Sequence, residues 1–124
     1  MKQILIISLL FVIIGCSSQE EKITEGMKPF MTENFPDATY EVVIEESLHK
    51  LKINDPGNVM NQENYQPFVK KTFSEFYKVF LKSTKGADSA SKFEMLYENE
   101  TLNWKSDRFT LTQLSDNYRD YVNS

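Results

Sequence analysis

The side chains with reactive chemistry are few, and the two most versatile types occur once each. The chain of 124 residues has one cysteine, Cys16, and one histidine, His49. A hydroxyl or thiol nucleophile needs a base beside it, and His49 is the only histidine that could serve. His49 alternates with Leu51 and Ile53, which predicts a partly buried, hydrogen-bonded histidine on the same face of a strand, with a pH-responsive or ligand-binding role as the alternative. No glycine-framed serine elbow is present.

The acidic residues also form no pattern typical of a catalytic or metal site. The pairs at 45–46 and 98–100 could be imagined as acid–base pairs, but both fall in predicted turns, where carboxylates stay solvated. Asp55-Pro56-Gly57-Asn58 lacks the spaced acids of a calcium loop and predicts a turn. A single histidine and a single cysteine exclude the usual zinc ligand sets. We therefore predict no catalytic residue, no metal and no cofactor.

The segment before Cys16 has the order of elements of an exported N-terminus. Lys2 supplies one positive charge, and residues 4–14 form an apolar run that only Ser8 interrupts. This run is too short to cross ~30 Å of hydrocarbon as a helix, which needs about 20 residues, but it suits a signal peptide. The run ends at Ile13-Ile14-Gly15-Cys16.

This ending resembles the lipobox of bacterial lipoproteins, in which an aliphatic, a variable and a small residue precede the cysteine. The resemblance implies cleavage between Gly15 and Cys16, diacylglycerol on the Cys16 sulfur, and a fatty acyl chain such as palmitate on the new amine. Such lipid would hold the chain at a membrane and leave no free thiolate. Ser17 is not the aspartate of inner-membrane retention, which implies the periplasmic or surface face of the outer membrane in a Gram-negative cell. The polar, acidic run Ser17-Ser18-Gln19-Glu20-Glu21 resembles the export signals of Bacteroidetes surface lipoproteins.

The charge balance excludes two classes of partner. The net charge is −4, and loss of Lys2 with the leader leaves 13 Lys and Arg against 18 Asp and Glu, or −5. An acidic domain without a basic face does not bind nucleic acid or attach electrostatically to anionic lipid. We therefore predict no nucleic-acid partner, a membrane contact made through lipid on Cys16, and a protein or cell-envelope partner.

Aromatic residues, 13% of the chain, fall mostly at positions compatible with a core. Trp104, Tyr118 and Tyr121 lie instead near strand ends or the C-terminus. Because tryptophan and tyrosine dominate protein-binding hot spots, these three residues form a candidate interaction patch.

Hydrophobic periodicity predicts the elements that must position these residues. A short helix is predicted to begin near Pro29, followed by a hairpin of strands at 39–44 and 49–53, with a helix over 44–51 as the alternative. The stripe from Tyr65 to Leu81 predicts a long amphipathic helix. Asn64 is its expected N-cap and Gly86 its expected end. Further strands are predicted at 93–97, 102–104 and 109–111, before a short helix capped by Ser115-Asp116.

These elements predict an α+β fold with an antiparallel sheet of about four strands packed on one long amphipathic helix, and short helices near each end. Two arrangements stay open. One is two α-β-β units, which resemble the PepSY or β-lactamase-inhibitor type, and the other is one curved sheet around a helix, as in cystatin-like or NTF2-like folds. We divide the chain into a signal peptide at 1–15, a flexible lipidated tether at 16–24 and a single domain at 25–124.

The expected function is that of a lipid-anchored, non-catalytic binding or interaction module of the cell envelope. One alternative is a small apolar-ligand binder with a cavity between sheet and long helix, and another is a small inhibitor or immunity-type protein. A cavity beneath Phe73 and Phe76 would favour the ligand binder. A filled core with an exposed patch containing Trp104 would favour protein binding.

Overall fold

The structure is a computed structural model that describes residues 18–83 and 90–124. Gly15, Cys16 and Gly86 lie outside these residues. The helices are α1 (Gln19–Gly26), α2 (Lys28–Asn34), α3 (Tyr65–Ser83) and α4 (Leu111–Val122). The strands are β1 (Thr39–Glu45), β2 (Leu48–Asn54), β3 (Lys92–Glu98), β4 (Asn103–Lys105) and β5 (Phe109–Thr110). The predicted α+β class is confirmed, although α3 is only moderately long.

The strands form one mixed sheet in the order β1-β2-β3-β4, and β5 pairs with the first residues of β3. The hairpin of β1 and β2 is confirmed, and the alternative helix over 44–51 is wrong. The prediction of a purely antiparallel sheet is also wrong, because β2 and β3 are parallel, with Leu51 opposite Met95. The connection between them contains α3, which returns the chain to the same end of the sheet.

In chain order the described elements make two successive α-β-β units. The first consists of α2, β1 and β2, and the second of α3, β3 and β4. The parallel pair β2 and β3 joins them at the centre of the sheet. The order therefore matches the first of the two predicted arrangements.

The core lies between α3 and one face of the sheet. Phe73, Phe76 and Phe80 of α3 are each at most 2% exposed. The rings of Phe76 and Phe80 meet Phe93 of β3 edge-on, with centroids 5.7 and 4.9 Å apart, and Phe73 stacks on Phe109 at 4.6 Å. Each buried ring contributes about 1.5–3 kcal/mol relative to an exposed one. The helix–sheet interface is thus filled by aromatic rings in contact.

The expected tether over 16–24 requires correction for residues 18–24, because α1 is part of the folded domain. Ser18 caps this helix through a reciprocal pair of hydrogen bonds with Glu21, each 3.1 Å long. Ile23 and Met27, one turn apart, are fully buried. The segment has the polar composition of a linker, but it forms an amphipathic helix with polar residues on its outer side and apolar residues on its inner side.

The last helix begins earlier than predicted. Ser115 and Asp116 lie inside α4, whose N-cap is Thr110, with Gln113 completing the capping box. Asn117 of α4 donates from Nδ2 to the carbonyl oxygen of Lys70 on α3, at 3.1 Å. The predicted cap at 115–116 is wrong because the earlier box already satisfies the first free backbone amides.

Within the two described ranges, no helix combines the length and apolar character needed to cross a bilayer.

Candidate binding surface

The predicted interaction patch of Trp104, Tyr118 and Tyr121 does not form one continuous surface, because Trp104 and Tyr118 pack against distant parts of α3. Trp104 is half-buried on β4, with its ring centroid 5.9 Å from that of Tyr65. Tyr118 of α4 is half-buried against Tyr77, at 5.3 Å. Tyr65 and Tyr77 lie about 18 Å apart along α3 at 1.5 Å per residue. Tyr121 is 38% exposed near the end of α4.

The sheet has a second face, turned away from α3, which we call the open face. Side chains alternate between the two faces of a strand, so the neighbours of the buried core residues lie on the open face. Most of them are exposed or half-buried. They are Thr39, Glu41, Val43 and Glu45 of β1, Leu48, Lys50, Lys52 and Asn54 of β2, Lys92, Glu94, Leu96 and Glu98 of β3, and Asn103 and Lys105 of β4.

A shallow depression of about 640 Å³ occupies half of the open face. Its central row runs straight across four strands, since Glu41 pairs with Lys52, Lys52 with Leu96, and Leu96 with Lys105. The row thus presents one carboxylate and two ammonium groups around a single half-buried leucine. Such a surface suits polar, charged contacts from a partner and offers little area to an apolar molecule.

Glu94 is the one open-face residue that is buried, at 2% exposure. Its Oε2 lies 3.5 Å from Arg108 Nε and 3.8 Å from Lys105 Nζ. The segment after β4 turns back onto β3 here, and Ser106 exchanges two 2.9 Å hydrogen bonds with the backbone of Met95. Because both cations are mostly exposed, the ion pairs contribute little energy, but they hold Lys105 at the rim of the depression.

A buried polar network closes the end of the sheet next to the depression. Asp55 is fully buried, and its Oδ2 accepts hydrogen bonds from Tyr97 Oη at 2.5 Å and from the amide of Val59 at 2.9 Å. The Tyr97 oxygen in turn accepts from the amide of Met60 at 3.0 Å and from Asn99 Nδ2 at 2.9 Å. Burial, followed by the hydrogen bond to Asp55, raises the pKa of Tyr97 to about 12.

This network fixes the loop at 55–60, and its groups are engaged in structural bonds. The turn predicted at 55–58 is confirmed. The burial of Asp55 was not predicted, since an aspartate in a turn signal normally faces water.

His49 occupies the position predicted for it. It is 6% exposed, its ring stacks on Phe93, and Phe80 meets it edge-on, both at 5.1 Å. Its Nδ1 lies 3.1 Å from the carbonyl oxygen of Ser47 and 3.3 Å from that of Lys92. The predicted hydrogen-bonded histidine on this face is confirmed, and it is buried more completely than the partial burial that was predicted.

Helix α1 covers the outer edge of β1. Thr24 Oγ1 accepts a hydrogen bond from the amide of Val42 at 3.0 Å, and Glu20 Oε2 accepts one from the amide of Ile44 at 2.7 Å. These amides would otherwise be free to pair with another strand. A partner therefore meets the open face itself more readily than this edge.

Two further features bear on the alternatives of a metal site and an apolar-ligand site. Among residues 18–83 and 90–124, no three histidine, cysteine, aspartate or glutamate side chains are grouped so as to hold a metal ion. Neither of the two depressions described, the one on the open face and a smaller one between α1 and β1, lies beneath Phe73 and Phe76. Comparisons with family models, with curated proteins and with solved structures gave no match for this chain.

Proposed function

We propose that the chain is a lipid-anchored cell-envelope protein, acylated on Cys16, whose domain is a non-catalytic module that binds a protein partner on its open face. The order of apolar run, small residue and cysteine at 4–16 supports the anchor. The depression on the open face is the observation that carries the binding role. In a Gram-negative cell we place the protein at the outer membrane, on its periplasmic or surface side.

The charges of the open face indicate the chemistry of the partner. Glu41 and Glu98 carry negative charge beside the positive Lys52 and Lys105, and all four are exposed. A complementary partner presents carboxylates to the two lysines and a cation to the glutamates. A polar protein surface with both signs of charge meets this requirement better than an apolar ligand does.

The size of the open face limits the strength of the complex. Three inter-strand spacings of ~4.8 Å and seven residues of ~3.3 Å give roughly 330 Å². A standard protein interface buries about 800 Å² on each partner. We therefore expect a transient complex, or one in which the contact extends from the open face onto neighbouring elements.

The filled helix–sheet interface gives no support to the alternative of an apolar-ligand binder. An inhibitor or immunity-type protein is a special case of protein binding, and the open face would serve it equally well. An inhibitor or immunity-type protein differs from a general binding module only in its partner, which is an enzyme or a toxin.

Photo-cross-linking in the native host tests the binding surface. A photoreactive residue at the exposed Asn103, in the full-length chain, is expected to give one discrete adduct. Reversing two charges of the depression, Lys52→Glu with Lys105→Glu, should abolish it. The matched control, Lys28→Glu with Lys82→Glu, reverses two exposed lysines on helices and should leave it unchanged. An adduct that persists after the open-face reversal, or that forms equally from Gln113 on α4, would contradict the proposal.

A further inference from the structure

The folded domain begins immediately after the proposed anchor. The Ser18 side chain accepts from the amide of Glu21, and its own amide donates to Glu21 Oε1, both at 3.1 Å. The helix that follows is fixed to the domain by the buried Ile23 and by the two hydrogen bonds that Glu20 and Thr24 accept from β1. Ser18 is therefore the N-cap of a helix that packs on the domain.

Only Ser17 separates Ser18 from Cys16, so the two Cα atoms are at most ~7 Å apart. A lipidated cysteine sits where the acyl chains enter the hydrocarbon, beneath a headgroup layer about 5–8 Å thick on each side of the bilayer. The link from Cys16 to Ser18 is thus no longer than the headgroup layer is thick. A domain on such a link has no room to move away from the membrane surface.

We infer that the domain rests directly on the phospholipid headgroups, with one defined end against them. This inference depends on the proposed acylation of Cys16. The contacts of Ser18 and its helix identify the end, because Glu20 reaches Ile44 at the finish of β1. The turn at 46–47 adjoins it, and the amide of Lys92 donates to the carbonyl oxygen of Ser47 at 2.9 Å. We call residues 44–48, 80–83 and 91–92 the proximal end.

The opposite, distal end is formed by the loop at 55–58 and the turn at 99–101. The two are joined by a hydrogen bond from the amide of Glu100 to Asn58 Oδ1, 3.1 Å long. Strands β2 and β3 run from the proximal to the distal end and are about 23 Å long, at ~3.3 Å per residue. The distal end therefore lies well above the headgroups.

Contact between the proximal end and the headgroups deepens the proposed function, because it fixes the height of the open face above the membrane. The central row of the depression, through Glu41, lies about 10 Å along β1 from Ile44, and Thr39 lies about 17 Å from it, at ~3.3 Å per residue. The open face thus stands upright beside the membrane. Its partner is a protein that itself lies within about 20 Å of the same bilayer.

Surface charge does not hold the proximal end on the headgroups. Among the described residues of this end, Glu45 and Glu46 are negative and Lys82 and Lys92 are positive, so neither sign dominates. The hydrogen bond and charge of Lys50 lower the pKa of Glu45, which keeps that carboxylate ionised at neutral pH. The contact should therefore form equally on zwitterionic and anionic vesicles and should persist at high salt.

Fluorescence quenching by lipids that carry a nitroxide on the headgroup tests this inference. Because Cys16 is the only cysteine and its sulfur would carry diacylglycerol, an introduced cysteine is the only free thiol to label in the mature protein. Labels at Glu46→Cys and Lys82→Cys report the proximal end. Labels at Glu100→Cys and at Glu63→Cys, which lies just before the start of α3 and so opposite its proximal end, report the distal end. All four positions are exposed, and circular dichroism checks that each variant is folded.

The acylated protein in phosphatidylcholine vesicles should lose fluorescence at the two proximal labels and none at the two distal ones. A twelve-residue Gly-Ser insertion between Ser17 and Ser18, with a mean span of about 19 Å, should abolish the proximal loss while the protein stays on the vesicles. Equal quenching at both ends, or proximal quenching unchanged by the insertion, would overturn the inference. Protein that lacks the mass of the acyl chains and does not bind the vesicles would instead overturn the anchoring proposal, and with it the contact between the proximal end and the headgroups.

Discussion

At the scale of single residues, the most consequential group is the hydroxyl of Tyr97. It is 1% exposed, and it donates to Asp55 while accepting from Met60 and Asn99. The hydroxyl thus joins β3 to the loop at 55–60 and to the turn after β3. Removing it leaves the buried Asp55 and the amide of the buried Met60 short of a partner, together with the half-buried Asn99, which costs more than the loss of an average hydrogen bond.

We expect Tyr97→Phe to lower the free energy of unfolding by about 1–3 kcal/mol. Urea denaturation measures the change. Tyr121→Phe removes the same atom from a tyrosine that is 38% exposed and should change stability by less than about 0.5 kcal/mol. Equal effects of the two substitutions would show that the network contributes nothing specific.

The same residue predicts a pH dependence at alkaline pH. The pKa of Tyr97 is raised to about 12, whereas an unfolded tyrosine titrates near 10. The folded state therefore disfavours the phenolate, so the stabilisation is complete below pH ~10 and is lost as the pH rises through ~12. The stability of the wild-type protein should fall more steeply over this window than that of Tyr97→Phe, in urea titrations at successive pH values. Identical slopes would contradict the assignment.

At the scale of elements, α1 is held by a close approach to α3. A Cβ placed on Gly26 would lie 2.5 Å from Val79 Cγ1, a distance that requires either the valine side chain or one of the helices to shift. Glycine is otherwise unfavourable in a helix by about 1 kcal/mol relative to alanine. Its presence at this position follows from the packing of the two helices.

Gly26→Ala should lower the free energy of unfolding by about 1–3 kcal/mol, because overpacking outweighs the gain in helix propensity. The double variant with Val79→Ala removes the obstructing methyl groups and supplies the control. In that background we expect Gly26→Ala to cost nothing or to stabilise the protein. A cost that is equal in both backgrounds would place the origin of the effect elsewhere.

Thr24→Val should expose the amide of Val42 by removing the oxygen that caps it. We expect a loss of about 1 kcal/mol in stability, and faster hydrogen exchange at this amide. Thr32→Val on the exposed surface of α2 is the matched control and should leave that exchange rate unchanged. Unaltered exchange in Thr24→Val would mean that the helix does not protect the strand edge.

Most of the elements could be predicted from the sequence, since alternation at 39–45, 48–54 and 92–98 and the stripe of α3 depend on local periodicity. The direction of β3 could not be predicted from that alternation, because parallel and antiparallel strands place side chains in the same way. The signal that could have revealed it is the helix between β2 and β3, which permits a crossover. Similarly, the spacing of Ile23 and Met27 was the signal for α1.

The candidate site was less predictable, because it depends on how elements pack. Glu94 lies between Phe93 and Met95 in a strand pattern, so local periodicity predicts an exposed carboxylate. It is buried because the segment carrying Ser106 folds back over it. Trp104 was expected in a patch with Tyr118, but α3 holds their rings far apart. Lys52 and Lys105 come together only through the register of four strands.

At the scale of the whole molecule, the proposals assign different tasks to different surfaces. The proximal end faces the headgroups, the open face stands beside the membrane for a partner, and the side of the sheet that packs on α3 forms the core. Under the proposed lipidation, the acyl chains on Cys16 would supply the attachment, so an acidic chain could stay at a bilayer without a basic face.

The central claim is therefore the processing and acylation of Cys16, and the intact mass of the protein extracted from the membrane fraction tests it most directly. We predict the mass of a chain that begins at Cys16 and carries diacylglycerol and an N-linked acyl chain. The Cys16→Ala variant should keep residues 1–15 and carry no lipid mass. A wild-type protein that begins at Met1, or that begins elsewhere without lipid, would contradict the account.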